Sequence, residues 1–153
     1  MYNLLLFFHL LFVIVFFAGG TVAATAQYAA VGRERPSDVA MLLGVARSGA
    51  VLLGAGSLGT LGFGIGLAEH LGFGFSPAWI QAALLLWVVA LALGGYGGRA
   101  ARRARELAVR LAAAGDTPSV ELRALVGDRR ALWASNASGL VLLAVVGLMV
   151  WQP

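Results

Sequence analysis

Residues 4–30 read LLLFFHLLFVIVFFAGGTVAATAQYAA, and none of them is charged. A helix needs about 20 consecutive apolar residues to cross a bilayer, so this stretch is long enough. It also exceeds the roughly 7–15 apolar residues of a cleaved signal peptide, which favours a permanent span. Further uncharged stretches occupy 48–68, 71–98 and 131–153. We therefore predict four membrane spans, at about residues 4–30, 46–68, 78–98 and 131–151.

The composition agrees with a chain whose surface is covered by lipid. Of its 153 residues, 60% are hydrophobic and 12% are charged, and the mean hydropathy is +0.87. A water-soluble globule of this size cannot bury so large an apolar share. We predict an all-α polytopic membrane protein, an antiparallel four-helix transmembrane bundle, which forms a single domain over residues 1–153 with a basic segment at 99–130.

The basic residues give the predicted orientation. All 11 are arginines, and they lie only in the first and third loops between the spans. Because basic residues near a membrane are retained on the cytoplasmic side, we expect these two loops inside the cell, and both termini and the second loop outside. The use of arginine without lysine, with abundant Ala, Gly and Leu, suggests a bacterial chain and hence the inner membrane. Topology and anionic headgroups explain the pI near 10.7, so nucleic acid is not an expected partner.

Local signals refine the helix ends. Ser37, between Pro36 and Asp38, is a predicted N-cap for the second helix, which therefore begins before the bilayer. The third helix is expected to continue past the membrane through 99–114, because this segment contains few helix breakers. Residues 119–126 are predicted to form a short helical or irregular return to the fourth span.

Glycines in the second and third spans predict close helix packing. Gly59, Gly62 and Gly66 fall at helix positions i, i+3 and i+7, and Gly62 and Gly66 form a GxxxG pattern. Gly94 and Gly98 form a second GxxxG pattern. These glycines pack helices within the bundle, form a face for a second copy of the chain, or allow a flat cofactor to approach.

His9 is the most informative polar residue, because a titratable ring inside an apolar span usually faces the bundle interior or a functional site. Gln27 lies five helical turns later on the same stripe, which is expected to face protein. His70 follows the second span on the same side of the membrane as His9. The pair predicts axial ligands for haem or, with Glu69, ligands for a copper or zinc ion. The alternative is a hydrogen-bonded interior His9 and a solvated His70.

Two short motifs carry a family resemblance. Phe7–Leu11 followed by Gly19 and Gly20, together with the closing residues 148–153, resembles small bacterial integral membrane proteins of unknown function, which are distantly similar to the membrane domain of copper-resistance protein D. The outline is also similar to HemJ-type protoporphyrinogen oxidases. That resemblance implies a haem-binding histidine at His9. Where those oxidases have Lys-Pro near the C-terminus, this chain has Gln152 and Pro153.

The sequence thus supports two functional hypotheses. In the first, a small membrane protein binds b-type haem or a metal ion through His9 and His70 in a redox-supporting role. In the second, the chain is a noncatalytic accessory or scaffold subunit, whose partners are the bilayer and other membrane subunits or a second copy of itself. The absence of cysteine excludes thiolate metal sites and covalent c-type haem. No complete set of catalytic residues marks a specific enzyme.

Overall fold

The computed structural model describes residues 1–151, and this part of the chain is helical apart from its connecting loops. Four of the helices are long and apolar enough to cross a membrane. The predicted all-α, four-helix membrane bundle is therefore confirmed. Gln152 and Pro153, which carry part of the family resemblance, lie outside the described residues. The helices are α1 (Tyr2–Val31), α2 (Pro36–His70), α3 (Ala78–Ala113), α4 (Val120–Val126) and α5 (Arg129–Trp151).

The helices α2 and α3 are much longer than the bilayer is thick. They contain 35 and 36 residues, which at 1.5 Å per residue corresponds to about 50 Å, against about 30 Å of hydrocarbon. Both extend beyond the membrane where the arginines lie, so the predicted continuation of the third helix is confirmed. We call this side, comprising residues 32–47 and 99–130, the arginine-rich end. The side with Tyr2, His70 and the 71–77 loop is the arginine-free end.

Two antiparallel hairpins build the bundle: α1 packs along α2, and α3 packs along α5. Small residues bring α1 and α2 together. A Cβ placed at Gly49 would lie 2.6 Å from Ala23 N, and one placed at Gly56 would lie 2.5 Å from Phe16 N, so neither position has space for a side chain. In the second hairpin Ser138 Oγ donates to Ala90 O over 2.8 Å.

The buried core of residues is concentrated at the arginine-rich end. Every helix except α5 contributes to it, and α4 closes it from the side. Its apolar side chains remain packed together where the helices leave the bilayer, because water rather than lipid surrounds them there. The members of this core are Ala26, Ala30, Val39, Leu43, Ala46, Ala104, Ala108, Leu122 and Val126.

Outside this core, the two hairpins are packed less closely against each other. Trp87 Nε1 donates to the buried Ser57 Oγ over 3.0 Å, which links α3 to α2 inside the bundle. The helices α1 and α5 touch little, and the Tyr28 hydroxyl donates to Asn136 Oδ1 over 2.8 Å to connect them. The outer faces of α1 and α5 expose large apolar side chains such as Ile14 and Leu140. We assign those faces to lipid contact.

The predicted N-cap at Ser37 is wrong. Arg35 occupies the N-cap position without a capping side-chain bond, and Pro36 is the first helical residue. Ser37 instead donates its backbone N–H and its hydroxyl to the two carboxylate oxygens of Asp116, both over 2.7 Å. A residue from the connection between α3 and α4 therefore caps α2.

Candidate histidine site

His9 lies on α1 against α2, near the arginine-free end. Its Nδ1 is 3.0 Å from the backbone oxygen of Thr60. A carbonyl oxygen only accepts hydrogen bonds, so Nδ1 must carry the hydrogen. In the neutral imidazole, the lone pair is then on Nε2. The contact with α2 thus fixes both the tautomer and the nitrogen that remains able to act as a ligand.

Gly64 allows α2 to approach the His9 ring. A Cβ at position 64 would lie 3.1 Å from His9 Cε1 and 3.3 Å from Nδ1, so even alanine would press on the imidazole. Beside this contact Phe63 stacks on Phe8 and Phe12, with ring centroids 5.1 and 5.5 Å apart. Aromatic packing of this kind limits how far α1 can shift along α2, and therefore holds the histidine in place.

Thr60 contributes a second polar group to the site. Its backbone oxygen accepts from His9, while its side-chain Oγ1 is buried and has no hydrogen-bond partner among residues 1–151. A buried hydroxyl without a partner is destabilising by about 1–3 kcal/mol. Thr60 therefore orients His9 through its backbone oxygen and keeps a side-chain hydroxyl that can still donate or accept.

The structure does not bring His70 to His9. His70 is exposed and stacks on Tyr2, with ring centroids 6.4 Å apart. It lies six residues beyond Gly64 on α2, which is about 9 Å along the helix axis. Two imidazoles that share one metal must lie within about 4 Å through their nitrogens, since each metal–nitrogen bond is about 2 Å long. The two histidines therefore contact different residues along the hairpin, and a ligand site that they share stays a prediction.

Glu69 does not complete a metal site either. It is exposed at the end of α2. Within residues 1–151, no group of three or more His, Cys, Asp or Glu side chains is placed to hold a metal ion. Zinc in proteins usually takes three or four such ligands, so the described residues do not fit a copper or zinc centre built on His9.

The predicted stripe of His9 and Gln27 faces protein. Phe16, between them, is only 8% exposed. Gln27 lines a small cavity of about 10 Å³ together with Ala104 and Ala131, which is enough for about one water molecule. His9 and Gln27 therefore lie on the side of α1 that faces the other helices.

The predicted packing glycines differ in their surroundings. A Cβ at Gly59 would meet the Phe12 ring, one at Gly66 would lie 3.4 Å from Leu5 Cδ2, and one at Gly94 would lie 3.1 Å from Ser138 Oγ. Gly62 and Gly98 have open space at the corresponding position. The first three contact neighbouring helices, whereas the last two leave a gap on their helix surfaces.

Four further glycines, which were not predicted as packing positions, make contacts as close as that of Gly59. They are Gly19, Gly49, Gly56 and Gly97, each of which would place a Cβ within 3.0 Å of another helix. The seven-residue interval between Gly49 and Gly56 is a helical repeat that would have identified two of them.

No family model matches the sequence, and the searches of curated proteins and of solved structures found no match either. The resemblance of the terminal motifs to the copper-resistance and HemJ-type membrane proteins stays a prediction.

Proposed function

We propose that this multi-pass membrane protein binds b-type haem through Nε2 of His9 and serves a redox-supporting role in a bacterial inner membrane. The observation that supports this function is the hydrogen bond from His9 Nδ1 to Thr60 O. Metal-ligating histidines almost always donate their second ring nitrogen to a carbonyl or carboxylate, which orients the ring and makes the ligating nitrogen more basic. The resemblance to HemJ-type proteins implies the same histidine.

The number of ligands that the protein must supply distinguishes haem from a simple metal ion. Haem supplies four nitrogens of its own, so a single histidine of the protein would be sufficient to hold its iron. His9 alone can meet that requirement, and His70 is not needed. When bound, the group would supply one-electron transfer, and its potential would depend on the axial ligand and the surrounding hydrogen bonds.

The residues around His9 have defined tasks in this proposal. Thr60 O fixes the orientation of the imidazole and keeps Nε2 free of its hydrogen. Gly64 leaves the ring side of α2 without a side chain. The apolar composition of this membrane span favours the neutral imidazole that a metal requires.

The absorption spectrum of the purified protein tests the function. Protein expressed in haem-sufficient cells and isolated in mild detergent is measured oxidised and then reduced with dithionite. We expect a Soret band that shifts on reduction and is absent from His9→Ala. His70→Ala is the matched control, because it removes the other histidine of the chain and should keep the band.

Two outcomes would overturn the proposal. A featureless spectrum in the wild-type protein would remove haem binding and favour the accessory-subunit hypothesis, which copurification of further membrane subunits would then test. A band that persists in His9→Ala but disappears in His70→Ala would assign the haem to His70, at the exposed end of α2. Circular dichroism of each variant shows whether the helices are intact.

A further inference from the structure

Arg105 differs from the other arginines of the chain in that its stem is held between helices. Its Nε is buried and has no hydrogen-bond partner among residues 1–151. A Cβ at Gly44 of α2 would be 3.9 Å from that nitrogen, so the Arg105 side chain lies along the α2 surface where glycine leaves room. A buried guanidinium N–H without an acceptor is destabilising, so the charge of Arg105 gains from an anion beside its two terminal NH₂ groups.

Two exposed arginines flank this position. Arg102 is three residues before Arg105 on α3, and Arg47 is three residues after Gly44 on α2. Residues three apart are neighbours on a helix surface, so both arginines lie beside the contact between Gly44 and Arg105. We call this region, formed by Gly44 and Arg47 of α2 and by Arg102 and Arg105 of α3, the seam. The ion pair found among the described residues, Arg123 with Glu34 at 2.9 Å, lies elsewhere. Within residues 1–151, none of the three arginines of the seam forms an ion pair with a carboxylate.

The seam lies where the bilayer ends. Arg47 directly precedes the uncharged stretch that begins at Ser48, and Arg105 is seven residues beyond Gly98, about 10 Å along the axis. Helical side chains tilt toward the N-terminus of their helix. On α3 this tilt carries the Arg105 guanidinium back toward the membrane, whereas on α2 it carries the Arg47 guanidinium out of the hydrocarbon. Their charges therefore converge in the headgroup layer.

We propose that the seam between α2 and α3 binds the phosphate of an anionic phospholipid headgroup, with Arg105 as the anchoring residue and with Arg47 and Arg102 as flanking cations. A guanidinium presents a planar fork of N–H donors that matches phosphate oxygens. Burial of its stem against Gly44 restricts the side chain before the lipid arrives, which lowers the entropic cost of binding. This is a defined site, in contrast to the diffuse attraction of basic loops to an anionic surface.

Native mass spectrometry of the full chain in mild detergent tests the site. The protein is titrated with phosphatidylglycerol, with phosphatidylcholine as the neutral lipid, and with inorganic phosphate as the free anion. We expect retention of phosphatidylglycerol in preference to phosphatidylcholine, with no displacement by millimolar phosphate. The change Arg105→Gln should weaken phosphatidylglycerol binding by about tenfold or more, the usual effect of losing hydrogen bonds to a charged group.

Arg103→Gln is the matched control. It removes the same charge two residues away on α3, where the 200° rotation of the helix turns the exposed side chain away from Arg105. It should change binding by less than about threefold, below the roughly fivefold effect of one basic residue at an anionic surface. Arg105→Lys keeps the charge but lacks the fork, and should bind more weakly than the wild-type protein while folding normally.

Three results would overturn the proposal. Equal losses in Arg105→Gln and Arg103→Gln would show diffuse electrostatic attraction without a site. Equal retention of phosphatidylcholine and phosphatidylglycerol would remove the role of the anionic headgroup. Full displacement by inorganic phosphate would assign the site to a free anion. Because the measurement counts bound lipid on the intact protein, none of these results depends on whether His9 binds haem.

Discussion

Asp116 connects the two arginine-rich segments through one carboxylate. Its backbone has φ 55°, a left-handed conformation that Asp adopts more readily than most residues, and this turn directs both oxygens at Ser37. The hydrogen bond from the Ser37 hydroxyl, followed by the one from its backbone N–H, lowers the pKa of Asp116 below its ordinary value of 3.8. The carboxylate is thus stabilised in its charged form by the start of α2.

The Asp116 cap should make stability dependent on pH in the acid range. Because the folded pKa is depressed, the stabilisation is complete above the ordinary pKa and is lost as the pH falls through the lower, folded value. Asp116→Asn keeps a residue that tolerates the left-handed backbone but removes the charge. We expect the variant to have a lower thermal midpoint than wild type at pH 7 in detergent, with the difference shrinking below pH 3.8.

Ser37→Ala tests the same contact from the other side. It removes the hydroxyl that donates to Asp116 but removes no titratable group. Loss of the hydroxyl should lower the thermal midpoint at pH 7 and should also reduce the acid sensitivity that Asp116 supplies. A difference in thermal midpoint between wild type and Asp116→Asn that stays constant from pH 7 to pH 3 would contradict the assignment of Asp116 as the cap.

Single residues were predicted unequally well, and distance along the chain explains the difference. His9 was recognised because a titratable ring is conspicuous in an apolar span. Its partner Thr60 lies 51 residues away, and the partner of Ser37 lies 79 residues away. Local rules for N-caps use only neighbouring residues, so they assigned Ser37 to its own helix and could not anticipate Asp116.

At the scale of the helix, close approach of α1 and α2 depends on the side of α2 that each glycine occupies. Gly49 and Gly56 lie where backbone meets backbone, whereas Gly54 and Gly62 have open space. The sequence could show that the second span is rich in glycine, but glycines occur around much of its circumference. Composition therefore predicted tight packing without identifying the packed face, since that depends on the rotation of each helix.

Alanine substitutions distinguish the two kinds of glycine. A Cβ at Gly56 would lie 2.5 Å from Phe16 N and 2.6 Å from Phe16 Cα, so α1 must move away from α2. We expect Gly56→Ala to lower the free energy of unfolding by about 1–3 kcal/mol, which is typical of overpacking. Gly54→Ala adds the same methyl group to open space and should stay within about 1 kcal/mol of wild type.

Unfolding of both variants in mixed micelles with increasing denaturing detergent measures the two free energies. Equal destabilisation of Gly54→Ala and Gly56→Ala would show that glycine is needed for a property of the isolated helix and not for its contact with α1. The absorption spectrum of Gly56→Ala adds a second readout, because displacement of α1 also moves His9 relative to Thr60.

For the whole molecule, the four spans, the continuation of α3 and the short return helix were predictable, because uncharged length and helix breakers are local properties of the sequence. The position of the buried core at the arginine-rich end was not predictable in the same way. It arises where α1, α2, α3 and α4 meet at the arginine-rich end, so that Ala30 and Ala108 become fully buried. In the membrane itself, lipid covers the remaining apolar faces.

The orientation of the molecule in the membrane is the last property to test, and the chain is well suited to the test because it contains no cysteine. Ser76→Cys and Thr117→Cys each place one thiol at an exposed position, the first at the arginine-free end and the second at the arginine-rich end. If basic loops are retained in the cytoplasm, a membrane-impermeant maleimide added to intact cells should label Ser76→Cys directly and Thr117→Cys only after permeabilisation. The cysteine-free wild type controls for background, and the reverse labelling pattern would show that the arginine-rich end faces outward, which would place the His9 site near the cytoplasmic surface instead.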